Sequence, residues 1–406
     1  MTRAQRWAGA ALFAAVPLYG TLAQLDADRP PLPPLLPAWG PLVVGAIALA
    51  AFAVLVPPAA RIARRAENRL LTLGFLAPGA ASAAAALTGF DPAAGLALSL
   101  LVLAFGSTGL VLACAADEAA VRLCIRAYLW SACAAAAFAL ALDLSRRPGA
   151  IFAYNNGRAI GSFLNPNELA AYALVGLGLA LPLALRPGRA ALLAKAASVL
   201  LLAALLATFS RWGALCAVGG AAVYALAAGS GPRARAAFAA VVAAAAMFLV
   251  WDASGGRHHN PRDTEARTVA WRTGMTTFLR FPLLGTGPLA YAKTYDVLRP
   301  PDAPGPRTPV AFDPHSLPLA FAAEGGIIAV GTLVTSVIVL LGALLRAART
   351  APRTARLVAL GLFAGVTALC AHALINTIAI FFPLGLQGVG LGLAIVRTAR
   401  AESARG

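Results

Sequence analysis

Apolar residues in this chain are grouped into long runs separated by short polar segments. A helix needs about 20 mostly apolar residues to cross a bilayer, because no water is present there to satisfy backbone N–H and C=O groups. The pattern therefore predicts an all-α integral membrane protein, a single polytopic membrane domain over 1–406 with about 12 transmembrane helices. The predicted spans are 7–23, 38–57, 70–89, 93–114, 124–142, 167–185, 192–209, 212–229, 236–252, 317–345, 357–378 and 383–398.

The composition strengthens this prediction. Hydrophobic residues make up 60% of the chain and charged residues 12%, with a mean hydropathy of +0.77, whereas a soluble domain carries about 25% charged residues. A water-soluble fold could not bury this much apolar surface. A secreted, disordered or nucleic-acid-binding protein is thereby excluded, although the net charge of +17 would otherwise suggest the last. Membrane lipids, and no nucleic acid, are the predicted surroundings.

Cysteines and the N-terminal run add little chemistry. The cysteines form no CxxC pair and lie in or beside apolar runs, so we predict neither disulfides nor a thiolate metal site. The first apolar run leads into Pro-rich sequence without a cleavage-site pattern, which favours an anchor over a cleavable signal peptide. The cysteines are Cys114, Cys124, Cys133, Cys216 and Cys370.

The distribution of basic residues predicts the orientation. If the N-terminus is cytoplasmic, 20 of the 33 Arg and Lys side chains fall on the cytoplasmic side, as the positive-inside rule expects. Both termini are therefore predicted to be cytoplasmic, in a bacterial inner membrane. Two outer segments are longer than a connection needs, 143–166 and the long periplasmic loop 253–316 between spans 9 and 10. We expect the chemistry on that outer, periplasmic face.

The end of the first outer segment has two interpretations. Asn165 before Pro166 is typical of a helix N-cap with proline at the first helical position, and Glu168 complements the helix dipole. Alternatively, Asn167 and Glu168 line a polar cavity, to which Arg158 supplies a positive charge. Both interpretations stay open at this point.

A second polar feature interrupts the apolar stretch 192–229. The residues from Ser210 to Gly213 predict the turn of a hairpin, with Arg211 at the edge of a span. An arginine there is expensive unless it reaches lipid headgroups or meets an anion. Snorkelling to headgroups is one interpretation. In the other, Arg211 faces inward and binds a phosphate group, whose oxygens match the planar guanidinium.

The long loop contains a predicted amphipathic helix. Arg267, Trp271, Met275 and Phe278 recur at helical spacing, which is typical of a helix lying in the membrane interface. Its arginines, Arg267 and Arg272 among them, sit either among lipid headgroups or toward the cavity.

Histidines offer further candidate chemistry. The adjacent pair His258–His259 is poorly placed to share one ion, so we predict no metal there. His315 lies where the long loop meets the tenth span, ahead of Glu324, and a histidine at such a junction can take a proton from a hydroxyl group. A structural role for His315 is the alternative. His372 and Asn376 share one face of the eleventh span, where they either hydrogen-bond between helices or support the site residues.

Taken in order, five short motifs resemble the O-antigen ligase and polymerase family of bacterial envelope glycosyltransferases. Each motif alone is unspecific, and the resemblance rests on their order and their placement on one face, from about residue 158 to residue 326. The motifs are Gly161-x-Phe163-x-Asn165-Pro-Asn167-x-x-Ala170, Ser210-Arg211-x-Gly213, Arg267-x-x-x-Trp271, Pro282-x-x-Gly285-x-Gly287, and His315 followed by Glu324-Gly325.

The resemblance implies a GT-C-type glycosyltransferase architecture with its active site at the periplasmic face. It implies a glycan donor carried on undecaprenyl pyrophosphate and, in the ligases, a sugar hydroxyl of the lipid A-core as acceptor. It also implies inverting transfer with neither a metal nor another cofactor, and the sequence offers no outer-face Asp/Glu cluster for a divalent ion.

The resemblance also suggests roles for individual residues. His315 is the predicted general base, and the predicted cavity-lining residues are Asn167, Glu168 and Glu324. The predicted pyrophosphate-binding residues are Arg211 and Arg267, with Arg158 and Arg272 as further candidates.

Two alternatives to a ligase remain. Polymerases of the family often carry two sizeable periplasmic loops, whereas this chain has one long and one shorter segment, so we favour a ligase by analogy. A secondary transporter would suit twelve spans and an intramembrane histidine. However, the halves of the chain show no internal repeat, and the polar residues cluster at one face rather than near the midplane.

Overall fold

The computed structural model contains helices as its only regular elements in the residues that it describes. The all-α prediction is confirmed for these residues. They are 1–18, 40–145, 158–163, 165–186, 188, 190–229, 239, 241–244, 246–247, 250, 261–299 and 313–405. The α-helices are α1 (Arg3–Ala15), α2 (Gly40–Ala63), α3 (Arg69–Leu87), α4 (Pro92–Ala115), α5 (Glu118–Ser145), α6 (Pro166–Ala184), α7 (Ala190–Ala207), α8 (Arg211–Ala228), α9 (Pro261–Arg280), α10 (Tyr291–Leu298), α11 (Leu317–Arg349), α12 (Arg353–Ala373) and α13 (Phe381–Ser403).

Nine helices in the described part of the chain are long and apolar enough to cross a membrane: α2 to α6, α8 and α11 to α13. Their length and composition support the predicted multi-pass membrane protein. Of the other predicted spans, α7 is apolar but shorter, α1 has 13 residues, and most of 236–252 lies outside the described residues. The count of twelve spans stays a prediction.

Four spans form the core, because most of their residues are buried inside the protein: α4, α6, α12 and α13. Helix α13 packs against α4 and α12, and α6 packs against α12 and α7. Glycines allow the closest approaches. A Cβ on Gly390 of α13 would lie 2.5 Å from the carbonyl oxygen of Gly109 in α4, and one on Gly361 of α12 would collide with Gly178 of α6. Small residues permit this backbone proximity in membrane helices.

The outward faces of the spans are apolar. Leu49 is 64% exposed, Ile338 66% and Leu226 85%. Large exposed aliphatic side chains of this kind are unfavourable in water, whereas in a bilayer they pack against lipid tails. Both surface and core therefore suit a bilayer.

The connections between spans are sorted to two ends of the bundle. At one end, Asp117 forms ion pairs with the N-terminal ammonium of Met1 at 3.3 Å and with Arg6 at 2.7 Å. At the same end, Arg186 donates to the carbonyl oxygen of Thr354 at 3.0 Å. This is the end rich in short basic connections. The helix ends that carry the candidate chemistry lie at the other, which we call the site end.

Two of the helices at the site end belong to the long loop. Helix α9 confirms a helix at the predicted position and packs against α11, and its place in the membrane interface stays a prediction. It exposes Trp271 (39%) and Met275 (48%) but buries Thr273 and Thr277 completely. Because large apolar side chains face outward and small ones inward, the helix is suited to the membrane interface.

The turn after α9 fits into a kink in α11. Gly326, inside that helix, has φ +63° and ψ −164°, which interrupts the regular hydrogen bonding. The carbonyl oxygen of Ala323 accepts the N–H of Thr286 at 3.1 Å, and that of Glu324 accepts the N–H of Gly287 at 2.8 Å. Two glycine-containing motifs, far apart in sequence, therefore form one contact.

We expect Gly326→Ala to lower the melting temperature in detergent. The conformation of Gly326 is essentially restricted to glycine, at a cost of about 1–3 kcal/mol for other residues, and a Cβ there would collide with the backbone of Leu283. The control is Gly331→Ala in the same helix, where an added Cβ meets no atom within 4 Å. Equal melting temperatures for the two variants would contradict this role of the kink.

Candidate functional site

The first polar cluster at the site end begins at the N-terminus of α6. Asn165 is extended, and its side chain accepts the N–H of Asn167 at 2.8 Å, with Pro166 at the start of the helix. The predicted helix cap is thus confirmed. Because Asn165 caps the helix, the side chain of Asn167 can contact other segments.

The turn between α7 and α8 confirms the predicted hairpin and brings Ser210 to Asn167. The Ser210 hydroxyl accepts the N–H of Gly213 at 3.2 Å and donates to Oδ1 of Asn167 at 3.2 Å. A side chain at Gly213 would crowd Ser210, since a Cβ would lie 3.0 Å from its hydroxyl oxygen. Arg211 is the first residue of α8 and is exposed. The serine and glycine of this motif thus shape the turn that presents the arginine.

Arg158 joins the same cluster from a third segment. Its Nε donates to the carbonyl oxygen of Thr208 at 2.7 Å, and its terminal nitrogen is 3.5 Å from Oδ1 of Asn167. The N–H of Ala159 donates to the carbonyl oxygen of Ala207 at 2.9 Å, which fixes this segment against the end of α7. Asn167 therefore accepts from both Arg158 and Ser210.

His372 holds α12 against the start of α6. Its Nε2 lies 3.2 Å from the carbonyl oxygen of Asn167, and its side chain is fully buried. Since a carbonyl oxygen only accepts, this contact makes Nε2 the protonated nitrogen. Arg158 and Arg267 both lie within electrostatic range of the ring. The expected helix–helix hydrogen bond of His372 is therefore present, and it links α12 to α6.

His315 lies in a tightly held loop before α11. It has a left-handed φ of +47°, and its side chain is 20% exposed. Oδ1 of Asp313 accepts the N–H of His315 at 2.7 Å and is 3.7 Å from Nδ1 of the ring. The indole of Trp271 donates to the carbonyl oxygen of His315 at 3.5 Å, and the N–H of Ser316 donates to the hydroxyl of Thr377 at 3.1 Å. The loop is thus anchored to α9 and to the α12–α13 connection.

Glu168 binds that same connection. Its carboxylate accepts the N–H groups of Ala379 at 2.5 Å and Ile380 at 3.2 Å, and the residue is 4% exposed. Asp313 lies within electrostatic range of Glu168. The α12–α13 connection therefore contacts the start of α6 on one side and, through Thr377, the His315 loop on the other.

We expect Glu168→Ala to destabilise the fold, because it leaves the N–H groups of Ala379 and Ile380 without their acceptor, and for the buried Ile380 this costs about 1–3 kcal/mol. Glu168→Gln keeps one acceptor oxygen and should fall between the wild type and the alanine variant. Thermal unfolding in detergent measures both. Glu118→Ala is the control, because that carboxylate forms an exposed pair with Arg122, and such pairs contribute little. Wild-type stability of Glu168→Ala would rule out this anchoring role.

Glu324 makes a different link. Its Oε1 accepts the N–H of Tyr291 at 3.1 Å, which ties α10 to α11. The hydroxyl of Tyr291 in turn donates to the carbonyl oxygen of Ala270 in α9 at 2.7 Å. Burial raises the pKa of Tyr291, so the phenol remains a donor. Glu324 therefore supports the layer of helices beside the His315 loop.

The four arginines named from the sequence differ in their placement. Arg158 belongs to the Asn167 cluster, and Arg211 follows Ser210 at the exposed start of α8. Arg267 is half-buried on α9 and lies within electrostatic range of His372. Arg272 is exposed on the same helix. The contact with the start of α6 is made by Arg158, through Asn167.

Sequence reasoning missed the partners that hold the site together. Asp313 has a local sequence signal, because the side chain of an aspartate in a loop often accepts the N–H of the residue two positions later and so forms an Asx turn. Thr377 has none, because its contact with Ser316 depends on how α11 and α12 pack. The same holds for the amides that bind Glu168.

Together these features define a multi-pass helical membrane protein with an arginine-rich polar site at one end of its bundle. Residues 196–334, about a third of the chain, match the family model described as O-antigen ligase. The match covers the Ser210 turn, α9, the turn at Gly285 and Gly287, and His315. It does not cover Arg158 or Asn167. It confirms the resemblance of this region to the O-antigen ligase and polymerase family. No curated protein matches the chain.

Proposed function

We propose that this protein is an O-antigen ligase of a bacterial inner membrane. It transfers a glycan from undecaprenyl pyrophosphate to a sugar hydroxyl of the lipid A-core at the periplasmic face. The transfer is inverting and independent of metal ions, and His315 is the general base. The site end faces the periplasm and both termini face the cytoplasm, an orientation that the basic residues at the opposite end support.

The observation that carries the proposal is the convergence of the family's motif segments at one end of the bundle. The Ser210 turn and Arg158 contact Asn167 at the start of α6. The α12–α13 connection then joins the start of α6 to the His315 loop, through Glu168 and Thr377. Arg158, the Ser210 turn and the His315 loop thus belong to one hydrogen-bonded assembly, and Arg211 follows Ser210 directly along the chain.

The reaction is a single in-line displacement. The acceptor hydroxyl oxygen attacks the anomeric carbon of the donor glycan, and the bond from that carbon to the pyrophosphate oxygen breaks with inversion. His315 takes the hydroxyl proton, and undecaprenyl pyrophosphate leaves with the bonding electrons. General-base catalysis of this kind contributes about 10²- to 10⁴-fold.

The arginines offset the charge that develops on the leaving group. A guanidinium donates two parallel N–H groups to phosphate oxygens, and cations aimed at a leaving group stabilise the transition state. Arg211 and Arg267 are assigned this role, with Arg158 and Arg272 as further contributors. Exposed Arg211 is open to a lipid-linked donor, and half-buried Arg267 lies toward His372. Helix α9 covers the donor at the membrane interface.

Reconstitution tests the proposal. The purified protein is incubated in EDTA with an undecaprenyl-pyrophosphate-linked glycan and rough lipopolysaccharide. A shift of the lipopolysaccharide to higher mass is the expected result. Growth of the donor glycan into longer chains instead would identify a polymerase of the same family. Lack of product with and without added metal would refute both activities and return the transporter to consideration.

A further inference from the structure

The backbone at His315 is held in a conformation that a histidine seldom adopts. Its φ of +47° falls in the left-handed region, which costs an L-residue about 1–2 kcal/mol. Such a residue persists only where its surroundings fix it, and strained residues of this kind concentrate at functional sites. The contacts that hold the backbone of His315 in this conformation are therefore relevant to its function.

Three contacts hold the backbone around His315. Oδ1 of Asp313 accepts its N–H at 2.7 Å, and the indole of Trp271 donates to its carbonyl oxygen at 3.5 Å. The next N–H, of Ser316, is held by Thr377 at 3.1 Å. The Asp313 contact is the shortest, and it closes an Asx turn over Pro314, a turn that an aspartate or asparagine forms with the N–H two residues on.

The same oxygen of Asp313 also faces the imidazole. It lies 3.7 Å from Nδ1, on the side of the ring away from Nε2. A carboxylate on the Nδ1 side favours the tautomer with its proton on Nδ1, which makes Nε2 the proton acceptor. Catalytic hydrogen bonds are often long in a protein without its substrates and tighten in the complex.

We propose that Asp313 is a positioning residue for His315: its Oδ1 closes the turn that holds the left-handed backbone and orients the ring so that Nε2 meets the acceptor hydroxyl. This inference rests on the proposed function, in which His315 is the base. Asp313 itself takes no proton in the reaction. Its carboxylate faces the ring as Nε2 gains the proton of the acceptor hydroxyl and the ring becomes positively charged.

Three substitutions at Asp313 separate loss of the turn from other effects of the change. Asp313→Ala removes the acceptor oxygen, and Asp313→Asn keeps an oxygen that closes the same turn. We expect Asp313→Ala to lower kcat about 10- to 100-fold, the penalty for a misplaced catalytic group. KM for both substrates should stay within about threefold of wild type, since a positioning residue acts through His315 rather than on the substrates. Asp313→Asn should recover most of the lost kcat. Asp313→Leu, similar in size to asparagine but without the oxygen, should resemble alanine.

The control is Asp91→Asn. Asp91 is a carboxylate at the same end that pairs with Lys293 at 2.6 Å and caps α4, a role that asparagine also fills. Its kcat should match wild type. Wild-type kcat in Asp313→Ala, or equal losses of kcat in the asparagine and alanine variants, would overturn the proposed positioning role of the turn. Full activity in His315→Ala would instead show that His315 is not the general base, the assignment on which the inference rests. The two failures are therefore distinguishable.

Discussion

His315→Ala is expected to lower kcat for glycan transfer by about 10²- to 10⁴-fold, the contribution of a general base. The protein should still fold, because the contacts that fix this position are made by its backbone: Asp313 holds its N–H and Trp271 its carbonyl oxygen. Alanine keeps both groups. The measurement is the initial rate of lipopolysaccharide extension at saturating donor and acceptor, together with the melting temperature.

Binding of the donor provides the second measurement for this variant. Since the proposed role of His315 is to act on the acceptor hydroxyl, the affinity for undecaprenyl-pyrophosphate-linked glycan should be unchanged when His315 is replaced. His258→Ala is the matched control, a histidine in the same long loop to which the sequence gives no role in the site. Wild-type turnover by a folded His315→Ala variant would exclude the histidine as the base and leave it a structural role.

Much of the fold could be predicted from the sequence because bilayers impose a simple rule. An apolar run of sufficient length must be a helix there, since any other backbone would leave polar groups unpaired. Local sequence signals also gave correct predictions where the structure depends on residues adjacent in sequence. Asn165 before Pro166 gave a true helix cap, and the polar residues at Ser210 gave a true break between helices.

The remaining features depend on contacts between distant segments. The kink at Gly326 exists because a turn forty residues earlier in the chain needs the carbonyl groups that the kink releases. Glu168 lies in the first turn of α6, as the helix-dipole interpretation requires, and its carboxylate also binds amides of the α12–α13 connection, which the sequence did not predict. Periodicity cannot reveal such partners, because they share no local pattern. The motifs thus indicated which segments carry the site, and packing determines how those segments are joined.

Arg211→Ala is expected to weaken donor binding and to lower kcat by about 10²- to 10³-fold, the loss typical of removing one preorganised electrostatic stabiliser. The guanidinium is presented at the first turn of α8 by a turn that Ser210 and Gly213 shape, so the backbone should survive the substitution. Arg211→Lys keeps the charge but loses the planar fork, and should recover only part of the activity. Inhibition by free undecaprenyl pyrophosphate should weaken in parallel, since the product carries the same group.

Arg280→Ala tests whether any arginine at this end would have the same effect. Arg280 is an exposed residue in the last turn of α9, and its loss should leave both donor affinity and kcat near wild type. If Arg211→Ala behaved like Arg280→Ala, its guanidinium would belong among lipid headgroups, where an arginine at a span edge is also stable. The pyrophosphate would then depend on Arg158 and Arg267. A large difference between the two variants would instead require that Arg211 meets the donor, because surface charge alone is common to both.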